Sequence, residues 1–265
     1  MKPGVQIATK KDNTVYYRSG ITYNSKHISL GSYASEEDAH QAYLAAKNIL
    51  LSTDFTIEKC IYHNATHTLP FEKEVTLINL RDNGIYIATP IYLRKNYFEY
   101  HLSPDICLKF DIDDLFYYSS HKIMKRQGHL FVADFGSQVS IISRHGLKPY
   151  SVLGRDYEFI NDDAYDFRRN NIEIINRYNG VRRIKKEAGY VYKAVIHIDN
   201  NYVIGHYASE DEAAIAYNKA IDILQKKGVK KNFTPNYLDG LSPKVYAKIY
   251  TEVKISPKIE NYSLS

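Results

Sequence analysis

Gly31-Ser32-Tyr33-Ala34-Ser35-Glu36-Glu37-Asp38-Ala39 returns near the other end of the chain as Gly205-His206-Tyr207-Ala208-Ser209-Glu210-Asp211-Glu212-Ala213. Six of the nine positions are identical, and two more exchange only Asp for Glu. A repeat of this kind is the signature of a duplicated structural unit. We therefore expect the 265 residues to contain the same small module twice, with a different region between the copies.

Both flanks of the repeat also match. Gly4-Val5 and Gly180-Val181 open the two copies, and Tyr17-Arg18 pairs with Tyr192-Lys193 once a one-residue gap is allowed. Four later positions keep their residue type and spacing, as Ala42, Tyr43, Ala46 and Leu50 in the first copy and as Ala216, Tyr217, Ala220 and Leu224 in the second. A match this long indicates duplication rather than chance.

Strands are predicted in the first half of each copy. In the second copy, residues from Tyr190 to Ile198 alternate between two faces, with Ala194 and Ile196 on one of them. Asn200-Asn201 is a turn signal, and the run from Tyr202 to Tyr207 is typical of the next strand. The first copy repeats this pattern, so we expect a small antiparallel sheet in each.

A helix is predicted in the second half of each copy. Ser209 is followed by Glu212 three residues later, and Ser35 by Asp38, which is the pattern of a helix N-cap. The apolar stripe that follows contains alanines, whose small side chains let a helix lie close to a sheet. Each copy is therefore predicted to be a three-stranded antiparallel sheet plus one helix.

The chain as a whole is predicted to be α+β, with four parts. These are the first copy at 1–60, a central region at 61–178, the second copy at 179–237 and a C-terminal tail at 238–265. The central region is rich in Tyr, Phe, Ile and Asp and is punctuated by glycines. It has four strand-like runs, Glu74 to Leu80, Ile85 to Tyr92, His129 to Phe135 and Val139 to Ser143.

Composition is that of an ordinary globular protein, with 44% hydrophobic and 25% charged residues. No apolar run approaches the about 20 residues that cross a bilayer. Met1-Lys2-Pro3-Gly4 lacks the apolar segment of a signal peptide. We expect a cytoplasmic protein, in a bacterial or phage-infected cell, with no membrane partner.

Cysteine and histidine spacing predicts no metal and no cofactor. Cys60 and Cys107 have no CxxC spacing, and two thiols in a reducing compartment are the simpler interpretation. His63 and His67 are four residues apart, which on a helix would place both on one face. Asn64 and Thr66 between them favour a loop instead, so a metal site there is not expected.

Positive charge is concentrated in the second copy. The chain carries a formal net charge of +5, and residues 179–254 hold 13 Lys and Arg against 8 Asp and Glu. A basic module on a nearly neutral body is the electrostatic footprint of a nucleic-acid-binding protein. A lysine-rich solvated surface is the alternative that composition leaves open.

The second copy resembles the AP2/ERF DNA-binding domain, on Gly180-Val181-Arg182-Arg183, on Ile204-Gly205-x-Tyr207-x-Ser209, and on Glu212-Ala213-Ala214-x-Ala216-Tyr217. In that family the sheet enters the DNA major groove with the face opposite its helix, so the resemblance implies reading positions near Asn179, Arg182, Ile184, Val195, His197 and Val203. Arg182 is the best candidate for a base or phosphate contact, and the candidates for neutralising phosphates are Arg183, Lys185, Lys186, Lys193 and His197.

The first copy departs further from the family. Gln6 stands where Arg182 stands in the second copy, and only Arg18 and Lys26 are retained as candidate DNA contacts. Two hypotheses stay open for this copy. It contacts DNA through those two residues, or it keeps its fold for protein contact or dimerisation.

Residues 159–172, from Phe159-Ile160-Asn161-Asp162-Asp163 to Asn171-Ile172, resemble the second half of the HNH nuclease motif of phage homing endonucleases. That family commonly places an AP2 module directly after the nuclease, which is the order found in this chain. The resemblance implies a central ββα-containing domain of HNH type between the two AP2-like modules.

Departures from the HNH motif fall on the residues that carry its chemistry. Phe159 stands at the position of the general-base histidine, Phe167 replaces an Asn, and Ser143 falls where the upstream histidine is expected. Phenylalanine neither accepts nor orients a proton, so the resemblance implies a site without its base. A metal-binding remnant is conceivable with Glu158 in place of the aspartate and Asn171, Asn176 or Asn179 as an amide ligand.

The leading hypothesis is therefore a catalytically inactive DNA-binding protein of phage or mobile-element origin, derived from an HNH-AP2 homing endonuclease. Its partner would be duplex DNA, engaged through the sheet of the second copy. An alternative is a phage protein that binds and inhibits a host protein complex, such as a CRISPR-type defence, through exposed aromatic clusters like Tyr117-Tyr118 and Tyr97-Phe98-x-Tyr100. A second alternative is a divergent metal-dependent nuclease in which His145 replaces the lost base.

Overall fold

The computed structural model of the chain describes residues 1–62 and 68–263. His63 and His67 lie outside these residues. The described chain is α+β, with helices interspersed among small antiparallel sheets, four of which have three strands and one of which has two. Within these described ranges, no helix is long and apolar enough to cross a membrane.

Two compact units make up the chain. The first comprises Met1–Ile141 together with Asn161–Asn171, and the second comprises Ile142–Ile160 together with Ile172–Ser265. The chain therefore leaves the first unit after Ile141, returns to it for eleven residues and leaves it again at Ile172.

The first unit contains nine strands and four helices within its described residues. In chain order these are β1 Val5–Thr9, β2 Val15–Tyr23, β3 Lys26–Tyr33, α1 Glu36–Leu51, α2 Ile57–Tyr62, α3 Phe71–Asn83, β4 Ile91–Leu93, β5 Tyr97–Ser103, β6 Ile106–Asp111, α4 Leu115–Ser120, β7 Ile123–Arg126, β8 His129–Asp134 and β9 Ser137–Ser140.

The first copy forms the predicted sheet and helix. Its strands pair antiparallel in the order β1-β2-β3, and α1 packs on the sheet through Ala39, Ala42 and Ala46, all fully buried. Ser35 caps α1, because its side chain accepts a hydrogen bond from the amide of Asp38 at 3.1 Å.

A close contact between a glycine and a tyrosine explains why the repeat conserves both. Gly4 has φ +76°, and a Cβ placed there would collide with the ring of Tyr43 on α1. Gly180 in the second copy has φ +70° and meets Tyr217 in the same way. Glycine is therefore required twice over at each position, by backbone conformation and by space.

The run from Glu74 to Leu80, predicted as a strand, lies inside helix α3. That prediction was wrong because every residue of the run is buried, polar Glu74, Thr76 and Asn79 included, and so short a run has no periodicity that separates a strand from a buried helix. The helix ends where Gly84 adopts a left-handed conformation, with φ 72°. Of the predicted strand Ile85 to Tyr92, only the last two residues belong to β4.

Strands β4 to β6 and β7 to β9 form two further three-stranded sheets. The predicted strand at His129 to Phe135 is present as β8, whereas the one at Val139 to Ser143 ends at Ser140 and continues as the 3-10 helix Ile141–His145. Phe98, Tyr100 and Tyr118 are at most 1% exposed. The two aromatic clusters predicted as exposed anchors therefore mainly supply core.

The second unit contains five strands and three helices within its described residues. In chain order these are β10 Tyr157–Phe159, β11 Ile172–Ile174, β12 Val181–Lys186, β13 Gly189–His197, β14 Asn201–Tyr207, α5 Glu210–Lys226, α6 Pro243–Glu252 and α7 Pro257–Glu260.

The second copy repeats the architecture of the first. Its strands pair antiparallel in the order β12-β13-β14, and Ala213, Ala216 and Ala220 bring α5 onto one face of the sheet. Ser209 caps α5 by accepting a hydrogen bond from the amide of Glu212 at 3.1 Å. The Glu212 carboxylate accepts one from the amide of Ala208, which completes a reciprocal cap.

The segment at 238–265, predicted to be a tail, forms α6 and α7 and packs against the second module. Ile255 and Ile259 belong to the same buried cluster as Leu224 of α5. The amide of Ser256 donates to the carbonyl of Ile204 at 2.7 Å, so this segment also engages β14. The second module thus has a larger core than its own sheet and helix supply.

Candidate nucleic-acid interface

The sheet of the second module has two unlike faces. Side chains alternate between faces along a strand, and residues opposite each other on paired strands share a face. Val181, Ala194 and Ile204 are buried beneath α5. The other face lies away from α5 and is called here the outer face.

A row of three basic side chains crosses the outer face. Arg182 on β12 lies opposite Lys193 on β13, and Lys193 lies opposite His206 on β14. Arg182 and His206 are exposed, and Lys193 is half-buried. Strands β12, β13 and β14 contain no Asp or Glu, so no acidic residue in the sheet offsets this charge.

Apolar residues occupy the centre of the outer face. Ile184 lies opposite Val191, and Val195 lies opposite Val203, which is 39% exposed. Ala194 lies opposite Gly205, but the next residue, Val195, lies opposite Val203. This bulge leaves Ile204 as an extra residue on β14. Because of this extra residue, Val203 keeps its place on the outer face.

His197 and Lys186 lie at the far ends of this face. His197 pairs with Asn201 at the end of the β13–β14 hairpin, and its Nδ1 is 3.2 Å from the Asn201 side-chain oxygen. Lys186 pairs with Gly189 at the end of the β12–β13 hairpin and is exposed. Four of the six basic residues predicted in this module therefore share one face.

Arg183 and Lys185 alternate onto the opposite face, the side of α5. The Arg183 guanidinium lies 4.7 Å from the centroid of the Tyr190 ring and 3.4 Å from a Glu173 oxygen. Lys185 lies opposite Tyr190, and both are on the same face of the sheet as Arg183. The structure thus separates these two residues from the four on the outer face.

Asn179, named above as a reading position, is held by hydrogen bonds within the second unit. Its amide donates to the Asn236 side-chain oxygen at 2.6 Å, and its carbonyl accepts from the Asn236 side chain at 3.0 Å. The Asn179 side-chain oxygen accepts from the Tyr150 hydroxyl at 2.7 Å. Asn236 is in turn bonded to the buried Asn218 on α5. These contacts give Asn179 a structural role at the start of the module.

The first module has the same register but different side chains. Gln6 lies opposite Arg18, and Arg18 lies opposite Ser32, in the places that Arg182, Lys193 and His206 occupy in the second. The bulge also recurs, between Ser19 and Gly20. The row on the outer face of this sheet therefore contains one basic residue, Arg18. The matching row of the second module contains Arg182, Lys193 and His206.

Small residues leave a shallow depression on the outer face of the first module. Gly20 and Ser29 stand where Val195 and Val203 stand in the second module, and Arg18, His27 and Ser32 line the same depression. Arg18 is also held in place, because its guanidinium donates two hydrogen bonds to the Tyr16 hydroxyl, at 2.7 and 3.2 Å.

Lys26, predicted to contact DNA, faces the helix side of the first sheet. It lies opposite Tyr23, and its ammonium group is 4.8 Å from the centroid of the Tyr86 ring. This cation–π contact anchors Lys26 within the first unit. Of the two predicted contacts in this module, only Arg18 lies on the outer face.

The two phenylalanines of the HNH-like motif are core residues. Phe159 on β10 and Phe167 are 8% and 5% exposed. Phe167 stacks on Phe110, with ring centroids 5.6 Å apart, and its amide donates to the carbonyl of Lys109 at 2.8 Å. Residues that replace polar positions of the family motif thus contribute packing here.

Asn171 has both ends of its side chain committed to the local loop. Its oxygen accepts from the amide of Asn161, and its NH₂ group donates to the carbonyl of Asp166, each at 2.9 Å. The Asp166 carboxylate is buried, which acts to raise its pKa, but hydrogen bonds from Arg168 outweigh burial and hold that pKa below its usual range. The loop is thus held together by its own polar groups.

The other HNH-like positions lie within the second unit. Glu158 is exposed on β10, directly opposite Glu173 on β11. The Ser143 hydroxyl is buried and has no hydrogen-bond partner among the described residues. His145 ends the 3-10 helix Ile141–His145.

Strands β10 and β11 pair antiparallel, as the hairpin of a ββα unit does. Residues 175–180, which follow, form no helix, and β12 begins at Val181. The helix expected to complete the ββα unit is therefore not present after the hairpin. In the sequence, the 3-10 helix Arg169–Asn171 directly precedes β11.

A cluster of potential metal ligands was not predicted from the sequence. The ligand atoms of Glu99, His101 and Cys107 all lie within 4.8 Å of one another. Burial, followed by the nearby Glu99 carboxylate, raises the pKa of the Cys107 thiol to about 12. The spacing Glu99-x-His101 was the available signal, since residues two apart on a strand share a face.

Comparisons with known proteins add no family to these observations: no family model, no curated protein and no solved structure matches this chain.

Proposed function

We propose that the protein binds duplex DNA through the outer face of the β12-β13-β14 sheet and does not cut it. The observation that supports this most directly is the row of Arg182, Lys193 and His206 on a face that lies away from α5. The sequence resemblance to the AP2/ERF domain assigns DNA contact to the same face. We further propose that the protein descends from an HNH-AP2 homing endonuclease of phage or mobile-element origin.

The dimensions of the row suit the backbone of a duplex. Arg182 and His206 are separated by two strand spacings, about 10 Å, which is close to the about 12 Å width of the major groove. Side chains at the two ends of the row can therefore reach phosphates on either side of the groove. Lys186 and His197, at the ends of the hairpins, extend the same face.

The apolar centre suits contact with base edges. Ile184, Val195 and Val203 offer no hydrogen bond, but the methyl group of thymine in the major groove accepts apolar contact. We expect a weak sequence preference, because contacts with phosphates supply most of the binding energy. Such binding depends strongly on salt, because each neutralised phosphate releases condensed counterions.

Absence of cleavage is proposed from the state of the HNH-like positions. Phe159 is buried and has no titratable group, and Asn171 has both amide ends engaged within its loop. Losing a general base removes roughly 10² to 10⁴ in rate, and losing metal geometry adds to this loss.

A salt titration of duplex binding tests the proposal. The full chain is titrated against a labelled duplex by filter binding at increasing salt. We expect measurable affinity at roughly 50 mM salt and a log–log slope of about −3, because the formation of about three phosphate contacts releases about three counterions. No measurable affinity under these conditions would sink the idea.

An interaction protein is the second candidate function, favoured by two fully exposed aromatic side chains in the first unit. Phe116 on α4 and Phe135 at the turn between β8 and β9 are 89% and 101% exposed. Large exposed aromatic residues are common anchors of protein interfaces. Under this hypothesis a host protein complex is recovered from a bacterial lysate and resists nuclease treatment, and the Phe116→Ser, Phe135→Ser double variant loses it.

A divergent metal-dependent nuclease is the third candidate, and it rests on the exposed Glu158. Incubation with supercoiled plasmid and Mg²⁺ or Mn²⁺ tests it. Nicking that disappears in Glu158→Ala would support the nuclease and overturn the non-cleaving proposal. Nicking that survives in Glu158→Ala would show that Glu158 is not needed for it.

A further inference from the structure

Three residues that commonly bind metal ions meet on the hairpin β5–β6 of the first unit. Glu99 and His101 lie two residues apart on β5 and so share a face of the strand. Cys107 on β6 lies directly opposite His101 in the strand register. The opposite face of the hairpin is apolar, with Phe98 and Leu108 fully buried. The three residues therefore form a polar cluster on a hairpin that has a core on its other side.

His101 is the most deeply buried member of this cluster, and its imidazole lacks hydrogen bonds. It is 1% exposed, and neither of its ring nitrogens has a hydrogen-bond partner among the described residues. Its Nε2 atom is 3.5 Å from the nearest Glu99 oxygen, an ion-pair distance at the limit for a hydrogen bond. A buried imidazole with both nitrogens unsatisfied is costly, and coordination of a metal ion is one of the few arrangements that would satisfy such a group.

The identities of the donors point to a transition metal. A carboxylate oxygen, an imidazole nitrogen and a thiolate sulfur are the three ligand types that Zn²⁺ takes in proteins. A tetrahedral zinc ion holds its ligand atoms about 3.3–3.8 Å apart, so atoms now within 4.8 Å need to move by only about 1 Å. We propose that Glu99, His101 and Cys107 form a binding site for Zn²⁺ or an ion of the same class.

The bulge in the hairpin supports the proposal. The register between β5 and β6 shifts between His101 and Ser103, immediately beside the cluster. Bulges of this kind re-aim a side chain and are frequent next to functional sites. An ion held by His101 and Cys107 would tie the two strands together at the point where their regular pairing is interrupted.

Arg94 is the neighbouring group that competes with a metal ion for the Glu99 carboxylate. Its guanidinium lies 2.9 Å from a Glu99 oxygen and 3.2 Å from Glu58. A carboxylate can accept from arginine and still ligate a metal, and such second contacts commonly orient the ligand. The other nearby cation, Lys109, is engaged with Asp163 at 2.9 Å. The proposal thus requires Glu99 to serve both Arg94 and the ion.

Cobalt substitution tests the site on the reduced full-length chain after removal of metals with a chelator. Thiolate ligation of Co²⁺ produces an intense near-ultraviolet absorption band. We expect this band to saturate at about one ion per chain and to disappear when Zn²⁺ is added, because zinc and cobalt favour the same donors. Absence of the band in the native protein would overturn the proposal and would assign Glu99 to Arg94 alone.

The chain's second cysteine provides a matched control. Cys60 is buried, whereas Cys107 is partly exposed, and the Cys60 thiol donates to the Glu74 carboxylate at 3.2 Å. We expect Cys107→Ser to lose the cobalt band and Cys60→Ser to retain it. The reverse result would place the ion at Cys60 and refute the site. Circular dichroism of each variant establishes that it is folded.

A measurement on the unmodified chain covers the case in which Cys107→Ser does not fold. Alkylation of each cysteine is followed by peptide mass analysis with and without Zn²⁺. Ligation removes the thiolate from reaction, so we expect zinc to slow labelling of Cys107 by at least about tenfold and to leave Cys60 unaffected. Equal labelling of Cys107 with and without zinc would contradict the proposal.

Discussion

The two modules have the same skeleton and different outer faces. In both, three antiparallel strands pair in the same register with one bulge between the second and third strands. In both, one helix follows the sheet and begins at a serine cap. At three matched positions on the outer face, the first module has Gln6, Arg18 and Ser32, and the second has Arg182, Lys193 and His206. The residues that maintain the fold are the same in both modules, whereas those on the outer face differ. The modules are therefore expected to share folding requirements and to differ in binding.

Reversing charge on matched positions should separate the modules most strongly. We expect Arg182→Glu with Lys193→Glu to lower duplex affinity by about 10³-fold at roughly 100 mM salt, because two phosphate contacts become repulsive. Gln6→Glu with Arg18→Glu should change affinity by less than about threefold. Filter binding measures both. Equal losses would show that both sheets bind DNA.

Substituting the shared glycines should affect both modules alike. Gly4→Ala and Gly180→Ala each force a Cβ against a tyrosine at a positive φ, and we expect a loss of roughly 2 kcal/mol in the free energy of unfolding. The control is Gly128→Ala, which has φ +84° and open space, and which should cost only about 1 kcal/mol. Urea denaturation measures all three. If Gly4→Ala costs no more than Gly128→Ala, the tyrosine contact does not constrain the first module.

Neighbouring lysines on β12 test which face of the second sheet is used. Lys186 is on the outer face, and Lys185 is on the opposite one. Lys186→Ala should weaken binding about fivefold and reduce the salt slope by about one, whereas Lys185→Ala should leave the slope unchanged. Equal effects from both variants would indicate a diffuse basic surface instead of a defined face.

Transferring the outer row to the first module is expected to have the smallest effect. Gln6→Arg with Ser32→His restores two of the three row positions around Arg18. Placed in the Arg182→Glu, Lys193→Glu background, these changes should raise duplex affinity about threefold, because Arg18 stays bonded to Tyr16 and the centre lacks the apolar residues of the second module. Equilibrium binding at low salt measures the gain. No gain would mean that the depression at Gly20 also prevents contact.

Local patterns in the sequence predicted the repeated elements well. The strands, the serine caps and the alanine stripes of both modules are present where alternation, capping and helical spacing indicated them. Alternation also implies that Arg182 and Arg183, which are adjacent on a strand, occupy opposite faces. The buried helix α3 could not be distinguished from a strand, because seven consecutive residues that are all buried show no amphipathic period.

Tertiary structure decided the features that depend on contacts between distant residues. Residues 161–171 return to the first unit, where backbone hydrogen bonds join Lys109 to Tyr165 and to Phe167. No local sequence pattern indicates these bonds. The 238–265 segment is structured because Ile255 and Ile259 enter the core of the second module. In both cases a short segment acquires its structure from a surface formed elsewhere in the chain.

The sequence by itself determined that one module occurs twice, that each copy has a sheet and a capped helix, and that the second copy carries the positive charge. These are local properties, set by spacing, capping and composition. Only the tertiary structure decided which basic residues share a face, and only strand register brought Cys107 opposite His101. Register is fixed by hydrogen bonds and side-chain packing between strands, so the location of both proposed sites became visible only in the folded chain.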